Sequence, residues 1–530
     1  MTVLLHDHLA RAAEARPDAL ALTMGDEHLS YGQVAALSDS LAAALVAHGV
    51  EPGDRVGLLV PKQPAAIVAM HAVLKAGAAY VPLDADSPAP RLARIVAAAD
   101  LRLLLTVPGA ATRLDELAAV MDLPLVASVD DEGVAGADGE PRSAFSRSDW
   151  DVPAAPPGRR VDDDAAAHLL FTSGSTGDPK GVVITHRNVA AFVDWALAEF
   201  GTRPTDRISG HPPLHFDLST FDIYGTFAAG AELHLVPASL SLNPRGLVRF
   251  IRDHELTQWF SVPSVLTYVA RFDAVAEGDF PALERLLWCG EVLPTPVLCH
   301  WMRRLPHVRF TNLYGPTEAT IASSYHTLDA IPADETQPVP IGKACAGEEL
   351  LVLDEHLAPT PPGEIGDLYI GGVGLSPGYW RDDAKTRAAF LPDPRSPGGG
   401  ERIYRTGDLA RVDDAGVVHF LGRTDSQIKS RGYRIELGEI ESALNAVEGV
   451  RECAVVGVDS DGFEGTAICA AYVAGGGLEP PQLKGALAAS LPSYMLPARW
   501  MGLDALPKNQ NGKIDRPELR KRFTAEAEKG

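Results

Sequence analysis

The stretch LLFTSGSTGDPKGV, Leu169 to Val182, decides how the rest of the chain is read. An apolar run from Ala165 to Phe171 predicts a buried strand, and a second run, Val182 to Thr185, predicts another. Between them stand Thr172, Ser173, Gly174, Ser175, Thr176 and Gly177, followed by Pro179, Lys180 and Gly181. Such a loop suits phosphate. Glycine lets backbone N–H groups approach an anion, four hydroxyls add donors, and the lysine supplies compact positive charge. A Walker A loop would place Lys-Ser/Thr directly after its last glycine and open a helix, whereas here Pro179 intervenes and a strand-like segment follows. ATP is therefore an expected ligand and the P-loop fold is not. A flexible surface turn would explain the glycines and serines, but not four hydroxyls and a lysine between two buried strands.

Outward from that loop, 530 residues allow about three or four folding units. The 46% apolar and 22% charged content is that of a globular protein. A net charge of −23 argues against a nucleic-acid footprint, which needs a basic stripe. The five cysteines, Cys289, Cys299, Cys345, Cys453 and Cys469, are scattered and suggest neither zinc nor a disulfide framework. The N-terminal MTVLLHDHLARAAEARPDA has an apolar patch too short for a secretion signal or a membrane span, so no membrane partner is expected and the default location is cytoplasmic.

Residues 3–16 and 34–49 show helical spacing, Val56 to Val60 reads as a strand, Ala65 to Ala76 as a helix and Ala79 to Leu83 as a strand. That order predicts a parallel α/β layer, and 91–127 repeat the alternation. Residues 128–160, rich in Asp, Ser, Gly and Pro, read as an exposed loop. After a helix at 187–200 comes HFDLSTFD, 215–222, where Asp217 could cap a helix or face a ligand cation. Strands at 258–262, 285–289 and 308–313 end in short polar turns, as ligand-binding strands of α/β sheets do. The third turn holds Tyr314, Gly315, Thr317 and Glu318: a flat ring, a hydroxyl and an oxygen ligand of the kind Mg²⁺ takes, although Glu318 could also serve as a helix N-terminal charge. From about residue 339, short alternating strands predict a β-rich subdomain, whose YRTGDL, 404–409, reads as a strand end delivering Asp408. A strand pair at 427–434 turning at Gly432, a helix at 437–447, strands at 452–457 and 467–473 and a helix at 482–490 predict a small α+β unit. Its tail, NGKID at 511–515, reads as an Asn-Gly turn pushing Lys513 outward.

Taken together these loops resemble the adenylate-forming superfamily, in particular the amino-acid adenylation domains of nonribosomal peptide synthetases and the D-alanine–carrier-protein ligases. The landmarks stand in family order along nearly the whole chain: LKAGAAYVPLD (74–84), the phosphate loop, FDLS (216–219), NLYGPTE (312–318), Gly363–Tyr379, YRTGDL, Gly422–Glu439 and NGKID. The resemblance implies an α/β protein with a large N-terminal adenylate-forming domain, 1–424, made of parallel α/β layers and a β-rich subdomain. A small mobile α+β lid, 425–530, would hinge at Asp425. It also implies that Thr172, Ser173, Gly174, Ser175, Thr176, Gly177 and Lys180, with Asn312 and Gly315, hold ATP; that Tyr314 stacks on adenine; and that Thr317 contacts the α-phosphate. Glu318 would engage Mg²⁺, Asp408 the ribose with Arg423 nearby, and Lys513 would neutralise charge as the substrate carboxylate attacks the α-phosphorus. The lid would then rotate, withdrawing Lys513 and presenting the Lys429–Tyr433 face for transfer to a thiol.

In amino-acid-using members the Asp of the FDxS segment binds the substrate ammonium, here Asp217. The remaining pocket positions implied by the motifs, Leu218, Phe221, Ser261, Leu287, Cys289, Leu313, Ile321 and Ala322, are uncharged and several are bulky. A small neutral amino acid resembling alanine or glycine is expected. The segments FDLSTFDIYG and WCGEVLP look particularly like the D-alanine ligases, and the chain resembles stand-alone macrolactam-pathway enzymes at least as well, which places it in natural-product or antibiotic biosynthesis. With no Ser-bearing carrier motif in the sequence, a discrete acyl- or peptidyl-carrier protein is expected in trans. An acyl- or aryl-CoA ligase and a non-catalytic nucleotide-binding member are the competing readings.

Overall fold

A computed structural model describes residues 3–174, 178–396, 398–460, 465–474, 478–509 and 513–527. Ser175, Thr176 and Gly177 of the phosphate loop, and Asn511 and Gly512 of the tail turn, lie outside the described residues.

Two sheets of the predicted α/β type carry the larger part of the chain. One has six strands in the order Leu125–Ser128, Leu103–Thr106, Arg55–Leu59, Ala79–Pro82, Ala166–Thr172 and Lys180–Thr185. Its first five strands run parallel and the last turns back antiparallel, with Thr172 opposite Lys180. The phosphate loop is thus the tip of a hairpin, which is why no helix follows it. The second sheet has nine strands, of which Arg309–Tyr314, Arg285–Cys289, Gln258–Ser261, Arg207–Gly210, Glu232–Leu235 and Leu20–Met24 are parallel neighbours. Helices Pro64–Lys75 and Asp217–Ala229 are buried along nearly their whole lengths in the core these sheets share. Helices packed on all sides are largely apolar all round; Pro64–Lys75 is, whereas Asp217–Ala229 also buries Ser219, Thr220, Asp222 and Thr226.

The β-rich subdomain is an antiparallel sheet of Glu348–Leu353, Ile365–Gly372, Arg402–Val412, Phe390–Pro392 and Val418–Arg423. Beyond it, the hairpin Gln427–Ser430/Tyr433–Glu436 turns at Arg431 and Gly432, both with positive φ. That is the geometry a two-residue hairpin loop favours. Helix Leu437–Asn445, strands Val450–Asp459 and Thr466–Ala474, and helix Pro480–Ala488 complete the expected α+β unit.

Four details depart from the sequence reading. Residues 128–160 are not uniformly exposed: Phe145 and Trp150 are buried, Arg147–Trp150 form a helical turn, and the Trp150 indole donates to the Ser128 carbonyl. Asp408 lies inside the eleven-residue strand Arg402–Val412, not at a strand end, because Gly407 at φ +78° lets the chain kink without ending its pairing. A third strand of this unit, Arg499–Gly502, pairs parallel with Thr466–Ala474. A last helix, Arg516–Ala527, buries Leu519 and Phe523. The strand is too short for a period to show, while the helix had an i, i+4 apolar pair as its signal. Among the described residues no helix is long and apolar enough to cross a membrane.

Candidate active site

The carboxyl ends of the parallel strands deliver the functional loops to one cavity, bounded on its other side by the Gln427–Glu436 hairpin. Cys289 ends one strand, Tyr314 the next, and Asp217 opens the helix that follows Arg207–Gly210. Gly315, directly after its strand, is required by packing: a Cβ there would stand 2.5 Å from the Ala322 Cα.

Behind the lining residue Arg434, at one end of the cavity, the chemistry is ionic, although Glu318 and Lys180 do not themselves line it. Glu318, in the short turn Thr317–Ala319, is fully buried. The Tyr379 hydroxyl donates to its Oε1 at 2.8 Å, the Lys180 ammonium lies 3.3 Å from the same oxygen, and Arg434 Nη1 donates to Oε2 at 2.6 Å. Burial would raise the Glu318 pKa, but the Arg434 and Lys180 cations outweigh it and hold the carboxyl well below the usual carboxylate range. Lys180 is lowered, chiefly by burial and then by Arg434, with Glu318 opposing. In the adjacent loop the Thr172 hydroxyl is buried without a hydrogen-bond partner among the described residues, and the Ser173 hydroxyl donates to the Arg434 carbonyl at 2.7 Å.

Asp408 is buried, accepts the Tyr314 hydroxyl, and takes Arg423 Nη1 at 2.5 Å. Arg423 also grips Asp425, whose Oδ1 accepts the Gln427 N–H at 3.0 Å. Asp217 lines the cavity and accepts the Thr317 hydroxyl at 2.8 Å; burial raises its pKa, with that hydrogen bond opposing. Phe216, not Asp217, is the cap residue of the helix, and Asp217 is its first residue.

The other end is apolar. Leu218 and Cys289 line the cavity. Phe221, Leu287, Leu313, Ile321 and Ala322 pack behind them in one buried cluster, and the Ser261 hydroxyl accepts the Trp259 indole at 2.9 Å. Thr320 and Ile321 both have positive φ, a conformation β-branched residues rarely adopt. It is held by the Thr320 hydroxyl on the Gly374 carbonyl and by the Cys289 thiol on the Ile321 carbonyl.

The predicted site residues therefore divide. Thr172, Ser173, Asp217, Leu218, Cys289, Tyr314, Gly315, Thr317, Asp408 and Arg423 line the cavity, with Lys429, Gly432 and Tyr433 of the hairpin. Asn312 is buried, with its amide on the Pro340 carbonyl. Lys513 is exposed, its backbone N–H on the Asn509 side chain, and is not among the lining residues. Sequence reasoning missed Tyr379 and Arg434. Both stand inside quoted landmarks, but nothing in their spacing revealed that a loop residue and a hairpin residue far apart in the chain would converge on Glu318.

A model of the AMP-binding enzymes matches residues 9–380, and one of the AMP-binding enzyme C-terminal domain matches residues 439–513. The chain is 36% identical over 520 residues to an L-proline–[L-prolyl-carrier protein] ligase of Streptomyces coelicolor, covering 96% of this chain and 94% of that one. It is 35% identical to one of the plipastatin synthase proteins of Bacillus subtilis over 97% of its own length, spanning only 19% of that relative. Among solved structures, the Vibrio cholerae adenylation domain AlmE, in complex with glycyl-adenosine-5'-phosphate, superposes with a TM-score of 0.85 at 26% identity over 98% of each chain.

Proposed function

The chain belongs to the AMP-binding enzymes, the adenylate-forming family, and on that premise we propose that it activates a small neutral amino acid with ATP and passes it to the phosphopantetheine thiol of a separate carrier protein. The observation that carries this reading is Asp217: a desolvated carboxylate lining the cavity, with a hydroxyl as its partner, is poised to receive an ammonium group. An acid lacking the amine would leave that carboxylate without a counter-ion, costing several kcal/mol. The packed cluster behind Leu218 and Cys289 supports a small side chain. The relatives' names accord with this, one naming proline and another glycyl-adenylate.

In the first half-reaction, an oxygen of the substrate carboxylate attacks the α-phosphorus of ATP and pyrophosphate leaves. The two anions must be aligned and the growing charge offset. Thr172, Ser173 and Lys180 would hold the phosphates, the orphan Thr172 hydroxyl being free to donate. Thr317 would turn to the α-phosphate, Asp408 would accept the ribose hydroxyls, and Lys513 would be carried in by the lid about a hinge at Asp425, which divides 1–424 from 425–530. Glu318 would hold a divalent cation, its carboxylate being an oxygen donor of the kind Mg²⁺ prefers. Bound there, Mg²⁺ supplies neutralisation of phosphate charge. In the second half-reaction the thiol sulfur attacks the acyl carbonyl, AMP leaves with the electron pair of the broken C–O bond, and the thiol proton passes to solvent. The five buried free cysteines and the need for ATP suit a cytoplasmic location.

The test is amino-acid-dependent ATP–pyrophosphate exchange over glycine, both alanine enantiomers, serine, proline, larger neutral residues and β-amino acids, with propionate as control. Exchange with one small amino acid and none with propionate is expected. Exchange with propionate and transfer to free CoA would instead make the protein an acyl-CoA ligase.

A further inference from the structure

One lid residue uses two groups of the phosphate site at once. Arg434 donates from Nη1 to Glu318 Oε2 at 2.6 Å, and its own carbonyl accepts the Ser173 hydroxyl at 2.7 Å. The hairpin bearing it is seated by a second core carboxylate: Glu291 takes the Gly432 N–H at 2.7 Å and the Ser264 N–H at 3.0 Å. Gly432 is fixed by that approach, since a Cβ on it would meet the Val262 Cγ1 at 2.7 Å. Arg91 and Glu439 add a buried ion pair between core and lid. Of these contacts, Arg434 alone engages groups assigned to triphosphate and its metal.

We propose that Arg434 is a positioning residue for the transfer half-reaction: it takes over Glu318 and Ser173 once the pyrophosphate and its divalent cation have gone, so that the docked hairpin and Mg²⁺·pyrophosphate exclude each other. This rests on the reading that Glu318 engages the metal. The physics is exchange of one cation for another at a buried carboxylate. Glu318 stripped of its metal would be an uncompensated buried charge, which is strongly unfavourable. A guanidinium with several donors matches a carboxylate in geometry as well as charge. Arg434 therefore couples departure of the first product to seating of the Lys429–Tyr433 face, and binding of Mg²⁺·pyrophosphate must by linkage unseat it.

The experiment reads lid position, not turnover. The native cysteines are all buried, so fluorophores can be placed on introduced cysteines at exposed Leu242 of the core and Glu448 of the lid in the full chain. In the otherwise unaltered enzyme, energy transfer should report a docked lid, and Mg²⁺ with pyrophosphate should shift it in a saturable way, with pyrophosphate in excess EDTA at least tenfold less effective. Arg434→Ala should favour the undocked lid without ligand and lower the Mg²⁺·pyrophosphate midpoint about tenfold. Arg434→Lys should recover part of both. In a double-mutant cycle, Glu318→Gln should add little undocking to Arg434→Ala, because each removes the same pair. Thermal melts confirm that each variant is folded. The proposal is overturned if Mg²⁺·pyrophosphate leaves the lid in place, if Arg434→Ala docks and titrates like the parent, or if the two substitutions are additive. Amino-acid-dependent exchange with a lid indifferent to Mg²⁺·pyrophosphate would sink this inference alone; a responsive lid with no exchange on any amino acid would sink the functional reading.

Discussion

The two ends of the cavity are built on opposite principles. Around Glu318 the protein gathers charge: a carboxylate with Lys180, Arg434 and the Tyr379 hydroxyl on it, and a loop hydroxyl, Thr172, with no partner among the described residues. Around Cys289 it gathers apolar side chains that touch one another: Phe221, Leu287, Leu313, Ile321 and Ala322. The ionic end holds partners that can be exchanged, because charged groups trade one counter-ion for another. The apolar end is closed, because close-packed side chains do not yield without a cavity or an overlap. Asp217 stands between the two, accepting the Thr317 hydroxyl on one side and followed in its helix by Leu218 of the apolar cluster on the other.

Breaking the junction should have the largest effect. Asp217→Asn is expected to lower kcat/KM for the amino acid in the exchange assay by about 10³-fold, the scale on which one member of a buried charge pair is lost. A fall of less than threefold would remove Asp217 as the ammonium anchor. Next comes the lysine proposed to be carried to the ionic end: Lys513→Ala should slow adenylation by roughly 10²-fold or more, as when a transition-state donor is removed. Unchanged single-turnover adenylate formation would take Lys513 out of the mechanism. At the apolar end, Phe221→Ala should raise the preference for a larger neutral side chain over the native one by about tenfold, the worth of a few methylene groups in a pocket. If competition assays show the ratio unmoved, those residues do not set size.

The smallest effect sharpens Asp217 again. Burial raises its pKa, so the carboxylate is neutralised at a higher pH than an ordinary aspartate, and attraction for the substrate ammonium fails as pH drops through that value. KM for the amino acid should rise a few-fold on the acid side, starting above the usual aspartate range, and the rise should vanish in Asp217→Asn. A parent profile flat down to about pH 4, the ordinary aspartate value, would contradict it.

Much of the fold was legible because periodicity and turn chemistry are local. The strand–loop–strand around Lys180, the parallel strand–helix–strand run before it and the Gly432 hairpin all appear where the pattern placed them. What escaped was set by contacts distant in the chain. Trp150 packs into the main apolar core with its indole N–H satisfied by the Ser128 carbonyl, so a segment that reads as an exposed loop holds a packed helical turn. Asp408 continues in its strand because Gly407 absorbs the kink. Of the nine expected substrate-pocket residues only Asp217, Leu218 and Cys289 reach the cavity surface.

The sequence by itself determined which chemical groups the site has to draw on: the hydroxyls of Thr172 and Ser173, the carboxylates Asp217, Glu318 and Asp408, and Lys180 are written in short stretches whose residue types state their chemistry. Only the tertiary structure decided which of those groups meet. Glu318 and Arg434 are separated by more than a hundred residues, yet a fully buried carboxylate must have its charge compensated, and folding brings the cation to it.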